Sequence, residues 1–196
     1  MKSFWDERYG EDGFAYGDRP NDFLAEVKDR LPRGPVLCLA EGEGRNAVHL
    51  LDLGPVTAMD QSAVGLQKAE ALARTRGGVL RTVAADLATF ELGGPWAVIT
   101  SIWAHVPPAI RRRVHAAIPE ALAPGGALVL EAYTPAQVGR GTGGPPDPAL
   151  TMTLEGLREE LPGLDFVIGR ELEREVHEGK YHEGLSSVVQ VLAFRR

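Results

Sequence analysis

The chain has 196 residues, 44% of them hydrophobic, and a formal net charge of −6 at pH 7. This length and apolar content predict one compact domain over residues 1–196, because a second domain of ordinary size would hardly fit. The acidic balance excludes a broad basic face and therefore DNA or bulk RNA as a partner. The single cysteine, the early charged residues and the lack of a membrane-length apolar run predict a cytoplasmic protein without membrane association.

Hydrophobic periodicity alternates along the chain between strand-like and helix-like runs, which is typical of βαβ units with a parallel sheet. Residues 1–17 are aromatic and glycine-rich without clean periodicity, and the first predicted helix runs from Asp22 to Leu31. The elements that follow are strand 36–40, helix 45–53, strand 55–59, helix 62–76, strand 79–85, strand 97–103, helix 108–122 and strand 126–133.

The last part of the chain does not continue this alternation. The glycine-rich residues 139–146 lack the Lys-Ser/Thr pair of a P-loop, so we predict a surface or lid loop there. A short helix at 154–161 follows, and strands 166–175 and 187–194 lie on either side of a bend at 178–180. The chain therefore ends in a predicted antiparallel hairpin.

The most informative segment is a short strand followed by two glycines. Residues 36–40 predict a buried strand, Gly42 and Gly44 allow a tight turn, and a helix opens at Asn46 with its free N–H groups facing the turn. Asp60 follows the next apolar run, close to the spacing at which an acid accepts hydrogen bonds from a cofactor ribose. This pattern predicts the first half of a Rossmann-like nucleotide-cofactor site.

The antiparallel ending separates two classes of cofactor, since dinucleotide enzymes repeat a parallel βαβ half. Here LAPGG at 122–126 precedes the fifth strand, and the last two strands form a hairpin. These residues resemble the class I S-adenosylmethionine-dependent methyltransferases. More narrowly, FWDERY at 4–9, Tyr16-Gly17 and LAEGEGRNAV at 39–48 are similar to the small bacterial tellurite-resistance-like, or TehB-like, methyltransferases.

The resemblance covers most of the chain, from about Phe4 to Phe194. It implies a Rossmann-like α/β fold with a mostly parallel sheet, an antiparallel C-terminal hairpin and helices on both faces. Within the single domain it implies an N-terminal lid and helix at 1–34, a cofactor-binding core at 35–135, and a loop, short helix and hairpin at 136–196.

The resemblance also implies S-adenosylmethionine as the cofactor, with Gly42 and Gly44 in the loop beside its methionine part. It makes Asp60 the acid that binds the ribose hydroxyls and Asp86 the acid near the adenine amine. The further cofactor-binding residues that we predict are Trp5, Tyr9, Ala40, Glu41, Arg45, Asn46, Gln61, Ser62, Leu87 and Ile102.

Two charged residues of the turn have two interpretations each. Many class I members carry an acid where this chain has Cys38 and a glycine where it has Ala40, so those contacts to the methionine end are missing or supplied elsewhere. Glu41 either meets the cofactor's ammonium group or has a structural role. Arg45 pairs either with the cofactor's carboxylate or with Glu41 or Glu43.

Methyl transfer from a sulfonium is an in-line displacement that requires no catalytic dyad. His105 follows the fourth strand, where it can take a proton from a thiol or hydroxyl, hold an anionic substrate, or cap the next helix. Tyr16, with Trp5 and Tyr9, either offers an aromatic face to the sulfonium or fastens the N-terminus to the core. We take His105 and Tyr16 as the candidate catalytic residues.

Further polar side chains lie near the end of the fold. Glu131 and Tyr133 share one face of the fifth strand and are predicted to point toward the mouth of the site. His177 and His182 flank the hairpin bend, but no further ligands stand at a zinc-site spacing. We therefore predict no metal site, and a substrate contact or a solvated turn for these two histidines.

These observations predict an S-adenosylmethionine-dependent methyltransferase, monomeric or homodimeric, that acts on a small-molecule nucleophile such as a thiol or an oxyanion. One alternative is an NAD-dependent oxidoreductase, because residues 42–47 also satisfy G-x-G-x-x-A. A second alternative is a protein that binds S-adenosylmethionine without turning it over.

Overall fold

A computed structural model describes residues 2–196, with side chains from Phe4 onward. The fold is a seven-stranded sheet with helices packed around it. The strands are β1 (Val36–Leu39), β2 (Val56–Asp60), β3 (Arg81–Ala84), β4 (Trp96–Ile102), β5 (Leu122–Tyr133), β6 (Leu164–Glu178) and β7 (His182–Arg195). The helices are α1 (Lys2–Gly10), α2 (Asp22–Val27), α3 (Arg45–His49), α4 (Ala63–Thr75), α5 (Pro108–Ala121) and α6 (Leu154–Glu160).

The sheet order is β3-β2-β1-β4-β5-β7-β6. Strands β1 to β5 pair in parallel, whereas β7 runs antiparallel to both β5 and β6. This arrangement confirms the predicted Rossmann-like fold with an antiparallel C-terminal hairpin. The strand order reverses between β1 and β4, and open α/β sheets bind their ligands beyond the carboxyl ends of the strands at such a reversal.

The central strand β1 separates two hydrophobic cores, one on each face of the sheet. Val36 and Cys38 belong to one core, and Leu37 and Leu39 belong to the other, because successive side chains of a strand point to opposite faces. All four residues are buried, which fixes the turn that follows at the centre of the molecule.

Helix α1 is the largest departure from the element prediction, since residues 1–17 lack a helical hydrophobic pattern. Its side chains contact the surroundings through aromatic and polar groups rather than an apolar stripe: Trp5 stacks on Tyr9, and Asp6 accepts a hydrogen bond from the Ser62 hydroxyl. Periodicity finds only helices that bury an apolar face, so it misses a helix of this kind.

The hairpin strands are longer than predicted, and one helix is shorter. Strands β6 and β7 remain paired from Leu164–Arg195 to Glu178–His182, well beyond the residues that alternate cleanly. Helix α3 ends at His49 instead of residue 53. Backbone pairing with a neighbour extends a strand regardless of its pattern, and the helix end depends on local geometry. In the part of the chain that the structure describes, no helix has the length and apolar character needed to cross a membrane.

The turn glycine Gly44 provides a test of this packing. Its φ is +90°, and a Cβ there would lie 2.5 Å from the Cβ of Ala69 in α4. We expect Gly44→Ala to lower the free energy of unfolding by about 2 kcal/mol or more, because backbone strain and a steric clash add together.

Gly77→Ala is the matched control, since its φ is +73° but nothing lies within 4 Å of the added Cβ. It introduces the strain alone, so we expect a loss of about 1 kcal/mol. Urea denaturation measures both variants, and equal losses would contradict the close contact between the turn and α4.

Candidate active site

The carboxyl ends of the parallel strands open into a cavity of about 800 Å³. Helix α1 and the glycine-rich loop 139–146 both contribute to its wall. Of the predicted site residues, those that line the cavity are Trp5, Tyr9, Tyr16, Ala40, Glu41, Arg45, Asn46, Asp60, Gln61, Asp86, Leu87, Ile102 and His105.

Neither turn glycine, Gly42 or Gly44, lines the cavity, but Gly42 allows α1 to pack close to it. Gly42 has a φ of +61°, and a Cβ there would lie 2.6 Å from the phenolic oxygen of Tyr9. Gly65 in α4 is equally close, with its added Cβ 2.8 Å from the Tyr9 ring. Because both positions lack a side chain, Tyr9 of α1 packs directly on the turn and holds α1 over the strand ends.

Asp60 is held rigidly at the end of β2. Its Oδ2 accepts a hydrogen bond from the Gly42 amide at 2.9 Å, and its Oδ1 accepts one from the Ser62 amide at 2.8 Å. Burial raises the pKa of Asp60, while these backbone bonds counteract that rise. A carboxylate oxygen has a second lone pair, so Asp60 can still accept hydrogen bonds from a ligand in the cavity.

Ser62 has a structural role rather than a place in the cavity wall. Its hydroxyl caps α4 by accepting a hydrogen bond from the Gly65 amide at 3.1 Å. The same hydroxyl donates to Asp6 of α1 at 2.6 Å. Ser62 is fully buried and fastens α1 to α4, and its predicted contact with the cofactor stays a prediction.

Glu41 has a structural role here, since its carboxyl group bonds to backbone amides. Its Oε1 accepts hydrogen bonds from the Asn46 and Ala47 amides at 2.9 and 2.8 Å, at the N-terminus of α3. Burial raises the pKa of Glu41 to about 7, despite these bonds. Glu43 also bonds within the protein, since it accepts hydrogen bonds from the Ala15 amide and the Lys68 ammonium at 2.7 and 3.0 Å.

Arg45 pairs with Glu178 of β6, which is neither of the partners predicted for it. Its Nη2 lies 2.6 Å from the Oε2 of Glu178, and both side chains are buried. The other oxygen of Glu178 accepts a hydrogen bond from the Asn21 amide group at 2.9 Å. Arg45 is therefore neutralised by the C-terminal hairpin and not by Glu41 or Glu43.

Glu131 does not point toward the mouth of the site, as the alternation along β5 had suggested. It is fully buried and binds Arg174 of β6 at 2.8 Å and the side-chain amide of Gln190 at 2.6 Å. Together with Glu178, Arg45 and Arg174, it forms a buried cluster of two carboxylates and two guanidinium groups. Arg45 of this ion cluster also lines the cavity.

Sequence reasoning missed Arg8 of α1, which also lines the cavity. Its guanidinium lies 4.0 Å from the ring centroid of Tyr181 and 4.5 Å from that of Phe4, and it donates to the Tyr16 hydroxyl at 2.9 Å. Arg8 has no carboxylate at ion-pair distance among the side chains of residues 4–196. The sequence feature that could have indicated Arg8 is its place among the aromatic residues of FWDERY at 4–9.

His105 has both ring nitrogens bonded within the protein. Its Nδ1 lies 2.9 Å from the Leu150 carbonyl, which can only accept, so Nδ1 carries the proton and Nε2 accepts from the Tyr133 amide at 3.3 Å. Burial lowers the pKa of His105 to about 4. The structure therefore does not support the predicted role of His105 as a base, since it leaves no nitrogen free to take a substrate proton.

The two hairpin histidines differ in their surroundings. His177 is exposed and lies 2.7 Å from Glu183, whereas His182 is buried and lines the cavity beside Tyr16, with ring centroids 4.6 Å apart. Within residues 2–196, no group of three or more His, Cys, Asp or Glu side chains is placed to hold a metal ion.

The raised pKa of Glu41 leads to a stability prediction. In the unfolded chain this carboxyl ionises near its usual pKa of 4.5, whereas in the fold it stays protonated up to about pH 7, so stability falls as the pH rises between these two values. Glu41→Gln keeps the Oε1 that accepts both amide bonds and removes the charge. We expect a flatter dependence of stability on pH, and a gain of about 1–3 kcal/mol over the wild type at pH 8.

Urea denaturation at pH 5 and pH 8 measures this difference, and Glu159→Gln, an exposed position on α6, is the control. If the free energy of unfolding of Glu41→Gln differs from that of the wild type by the same amount at pH 5 and at pH 8, the charge of Glu41 carries no cost in the folded protein.

Comparisons with known proteins support the fold and the domain. Residues 36–126 match the family model of a methyltransferase domain. A search of curated proteins gives no match. One similar solved structure comes from work on the conversion of a disulfide bond into a thioacetal group during echinomycin biosynthesis. Its sequence is 22% identical to this chain and its TM-score is 0.73, and the match covers 100% of this chain and 91% of that one.

Two further solved structures are similar over nearly the whole chain. TehB from Haemophilus influenzae is 18% identical, with a TM-score of 0.72, and the match covers 100% of this chain and 67% of that one. The N-methyltransferase NodS from Bradyrhizobium japonicum WM9, in complex with S-adenosylhomocysteine, is 14% identical, with a TM-score of 0.73 and coverage of 99% and 97%. The matched domain and the shared architecture thus place this chain among proteins with the class I S-adenosylmethionine-dependent methyltransferase fold, as its sequence predicted.

Proposed function

We propose that this protein is an S-adenosylmethionine-dependent methyltransferase that transfers a methyl group in line to a small-molecule nucleophile. The observation that carries this proposal is the position of Asp60, fixed by two backbone amides at the wall of a cavity above the strand-order reversal. A second acid, Asp86, follows β3 and lines the same cavity. Two acids at successive strand ends suit a ribose and an adenine amine.

The residues present fit this cofactor. The cavity volume of about 800 Å³ lies within the range of about 300–1,000 Å³ for ligand sites. Asp86 uses Oδ1 to accept a hydrogen bond from the Ala88 amide at 2.8 Å, which leaves its second oxygen for a ligand. Met59, Leu87 and Ile102 add apolar walls nearby. We assign the adenosine part to this group of residues.

We assign the carboxylate of the cofactor's methionine part to Arg8 instead of Arg45. Arg45 is already paired with Glu178 at 2.6 Å. Arg8 lines the cavity, and its hydrogen bond to Tyr16 leaves further N–H groups free to donate. Helix α1 then contributes to cofactor binding as well as to closure of the cavity.

The bound cofactor supplies a methyl group on a positively charged sulfur. The chain's own contribution is to position the acceptor and exclude water. Trp5, Tyr9 and Tyr16 present aromatic rings to the cavity, and such faces attract cations. Closure by α1 and loop 139–146 restricts the acceptor to a small molecule.

The chemistry of the cavity favours a neutral, soft nucleophile, such as a thiol, over an oxyanion. An oxyanion requires unpaired cations, but Arg45 is paired with Glu178 and Lys180 with Glu11. Arg8, the remaining cation of the cavity lining, is assigned to the cofactor's carboxylate. The similar structure from echinomycin biosynthesis concerns sulfur, whereas NodS is an N-methyltransferase, so the fold alone does not select the acceptor. A cytoplasmic location, a monomeric or homodimeric state and the lack of a nucleic-acid partner stay predictions.

The ribose assignment predicts the behaviour of Asp60→Asn. Loss of the charge weakens the hydrogen bonds to the ribose, so we expect the affinity for S-adenosylhomocysteine to fall about 10- to 100-fold. Titration calorimetry measures the affinity, and Asp165→Asn, at an exposed carboxylate, is the control. Unchanged affinity in a folded Asp60→Asn protein would contradict the assignment.

The same calorimetry distinguishes the class of cofactor. We expect the wild type to bind S-adenosylhomocysteine with micromolar affinity and not to bind NADH. The opposite preference would favour the oxidoreductase alternative. Cofactor binding without methylation of any small nucleophile would favour a binding protein.

The assignment of Arg8 predicts a ligand-dependent effect. Arg8→Ala removes a charged donor, so we expect the affinity for S-adenosylhomocysteine to fall about tenfold or more. The affinity for 5′-methylthioadenosine, which lacks the amino-acid carboxylate, should stay unchanged. Calorimetry with both ligands provides the comparison. Equal losses for the two ligands would show that Arg8 only holds α1 in place.

A further inference from the structure

His182 lines the cavity and is surrounded by aromatic rings, of which those of Tyr16 and Trp103 also line it. The ring centroid of His182 lies 4.6 Å from that of Tyr16, 5.2 Å from that of Trp103 and 5.3 Å from that of Tyr133. Loop 139–146 covers this place closely, since a Cβ on Gly143 would lie 2.8 Å from both the His182 ring and the Tyr133 hydroxyl. We call these five residues the acceptor subsite.

Two enclosed polar atoms of the acceptor subsite have no hydrogen-bond partner among the described residues. They are the Nδ1 of His182 and the hydroxyl of Tyr133. His182 is only 7% exposed and Tyr133 is fully buried. Buried polar atoms are normally paired, so these two show that the protein's own groups do not complete the hydrogen bonding beside the cavity.

The carboxylate of Glu178 sets the tautomer of His182. Its Oε2 lies 3.9 Å from Nδ1, and the same oxygen is held by Arg45 and by the Trp103 indole, each at 2.6 Å. A carboxylate on this side favours a proton on Nδ1, which leaves Nε2 as the acceptor. The His182 ring lines the cavity, and Nε2 makes no hydrogen bond to a side chain or backbone group of residues 4–196.

The charge state of His182 follows from its neighbours. Burial lowers the pKa of His182, and Glu178 partly opposes this shift. Arg45 and Arg8 lower it further, and the titratable groups that face it from the other elements are neutral His105 and the phenols of Tyr16 and Tyr133. The ring is therefore neutral near pH 7 and free to accept a proton.

We propose that His182 is the catalytic base of this enzyme and that its Nε2 takes the proton of a small thiol held in the acceptor subsite. This inference rests on the proposed methyltransferase function and names the acceptor class for the same cavity. The thiol sulfur forms a bond to the methyl carbon as its proton moves to Nε2. The old bond from that carbon to the sulfonium sulfur breaks, and its electron pair stays on that sulfur, which becomes a neutral thioether.

A thiol fits these residues better than other nucleophiles. Its ordinary pKa of about 8.5 lies within reach of a neutral imidazole, whereas an alcohol is far less acidic. Sulfur also makes favourable contacts with aromatic rings, and Tyr16 and Trp103, which line the cavity, provide two of them. The cation nearest to Glu178, Arg45, is already paired and cannot hold an oxyanion.

The test compares two thiols with the wild type and His182→Asn at pH 7.5. One is 2-mercaptoethanol, which is protonated at that pH, and the other is 4-nitrothiophenol, which is already ionised. A general base contributes about 100-fold or more, so we expect His182→Asn to lose that factor with 2-mercaptoethanol and at most a few-fold with 4-nitrothiophenol. His177→Asn, exposed on the same hairpin, is the matched control and should keep both rates.

The outcomes separate this inference from the proposed function. Calorimetry first establishes that both variants bind S-adenosylhomocysteine like the wild type, and a wild type that does not bind it contradicts the methyltransferase itself. A wild type that binds it but methylates neither thiol overturns the thiol assignment. Equal losses with both thiols, or no loss with either, overturn the role of His182 as a base.

A second measurement does not depend on activity. Nitrogen-15 NMR of the five histidines reports which ring nitrogen carries the proton. In the wild type with S-adenosylhomocysteine at pH 7, we expect the His182 proton on Nδ1 and a shift of Nε2 when 2-mercaptoethanol is added. A proton on Nε2, or no shift on addition, contradicts the proposal. If His182→Asn does not fold, removal of the other histidines one at a time identifies the His182 signal.

Discussion

The carboxylate of Glu178 connects the two halves of this fold. Its oxygens bind Arg45 from the first helix after the glycine turn, Trp103 from the end of the fourth strand, and Asn21 from the cap of an N-terminal helix. The surroundings lower the pKa of Glu178, with Arg45 and hydrogen bonds outweighing the cost of burial. A permanently charged group at this point fixes the hairpin against the cofactor half.

The ion cluster explains why this carboxylate is tolerated at such depth. Glu131 and Glu178 carry two negative charges, and Arg45 and Arg174 carry two positive ones, so the buried group is neutral as a whole. Burying charges is costly unless each has a partner with good geometry. The arrangement also leaves His182 beside a fixed carboxylate and close to Gly143 of loop 139–146.

The N-terminal helix depends on the other end of the same architecture. Tyr9 packs on the glycine turn because Gly42 and Gly65 have no side chains, and Asp6 is held by Ser62. These contacts bring Arg8 into the cavity without pairing it to a carboxylate at ion-pair distance among the described residues. A single helix thus packs on the glycine turn and places an arginine in the cavity wall.

The sequence by itself determined the strands of the sheet, the glycine turn and the place of Asp60 at the end of a strand. Hydrophobic periodicity, glycine spacing and the succession of strands and helices are all properties of residues near one another in the chain. It did not determine how charged and polar side chains would pair. Glu178 lies 133 positions after Arg45, and Leu150 lies 45 positions after His105. Such partners meet only when the hairpin packs on the parallel strands, so only the tertiary structure decided that both ring nitrogens of His105 are bonded and that His182 lies beside Glu178.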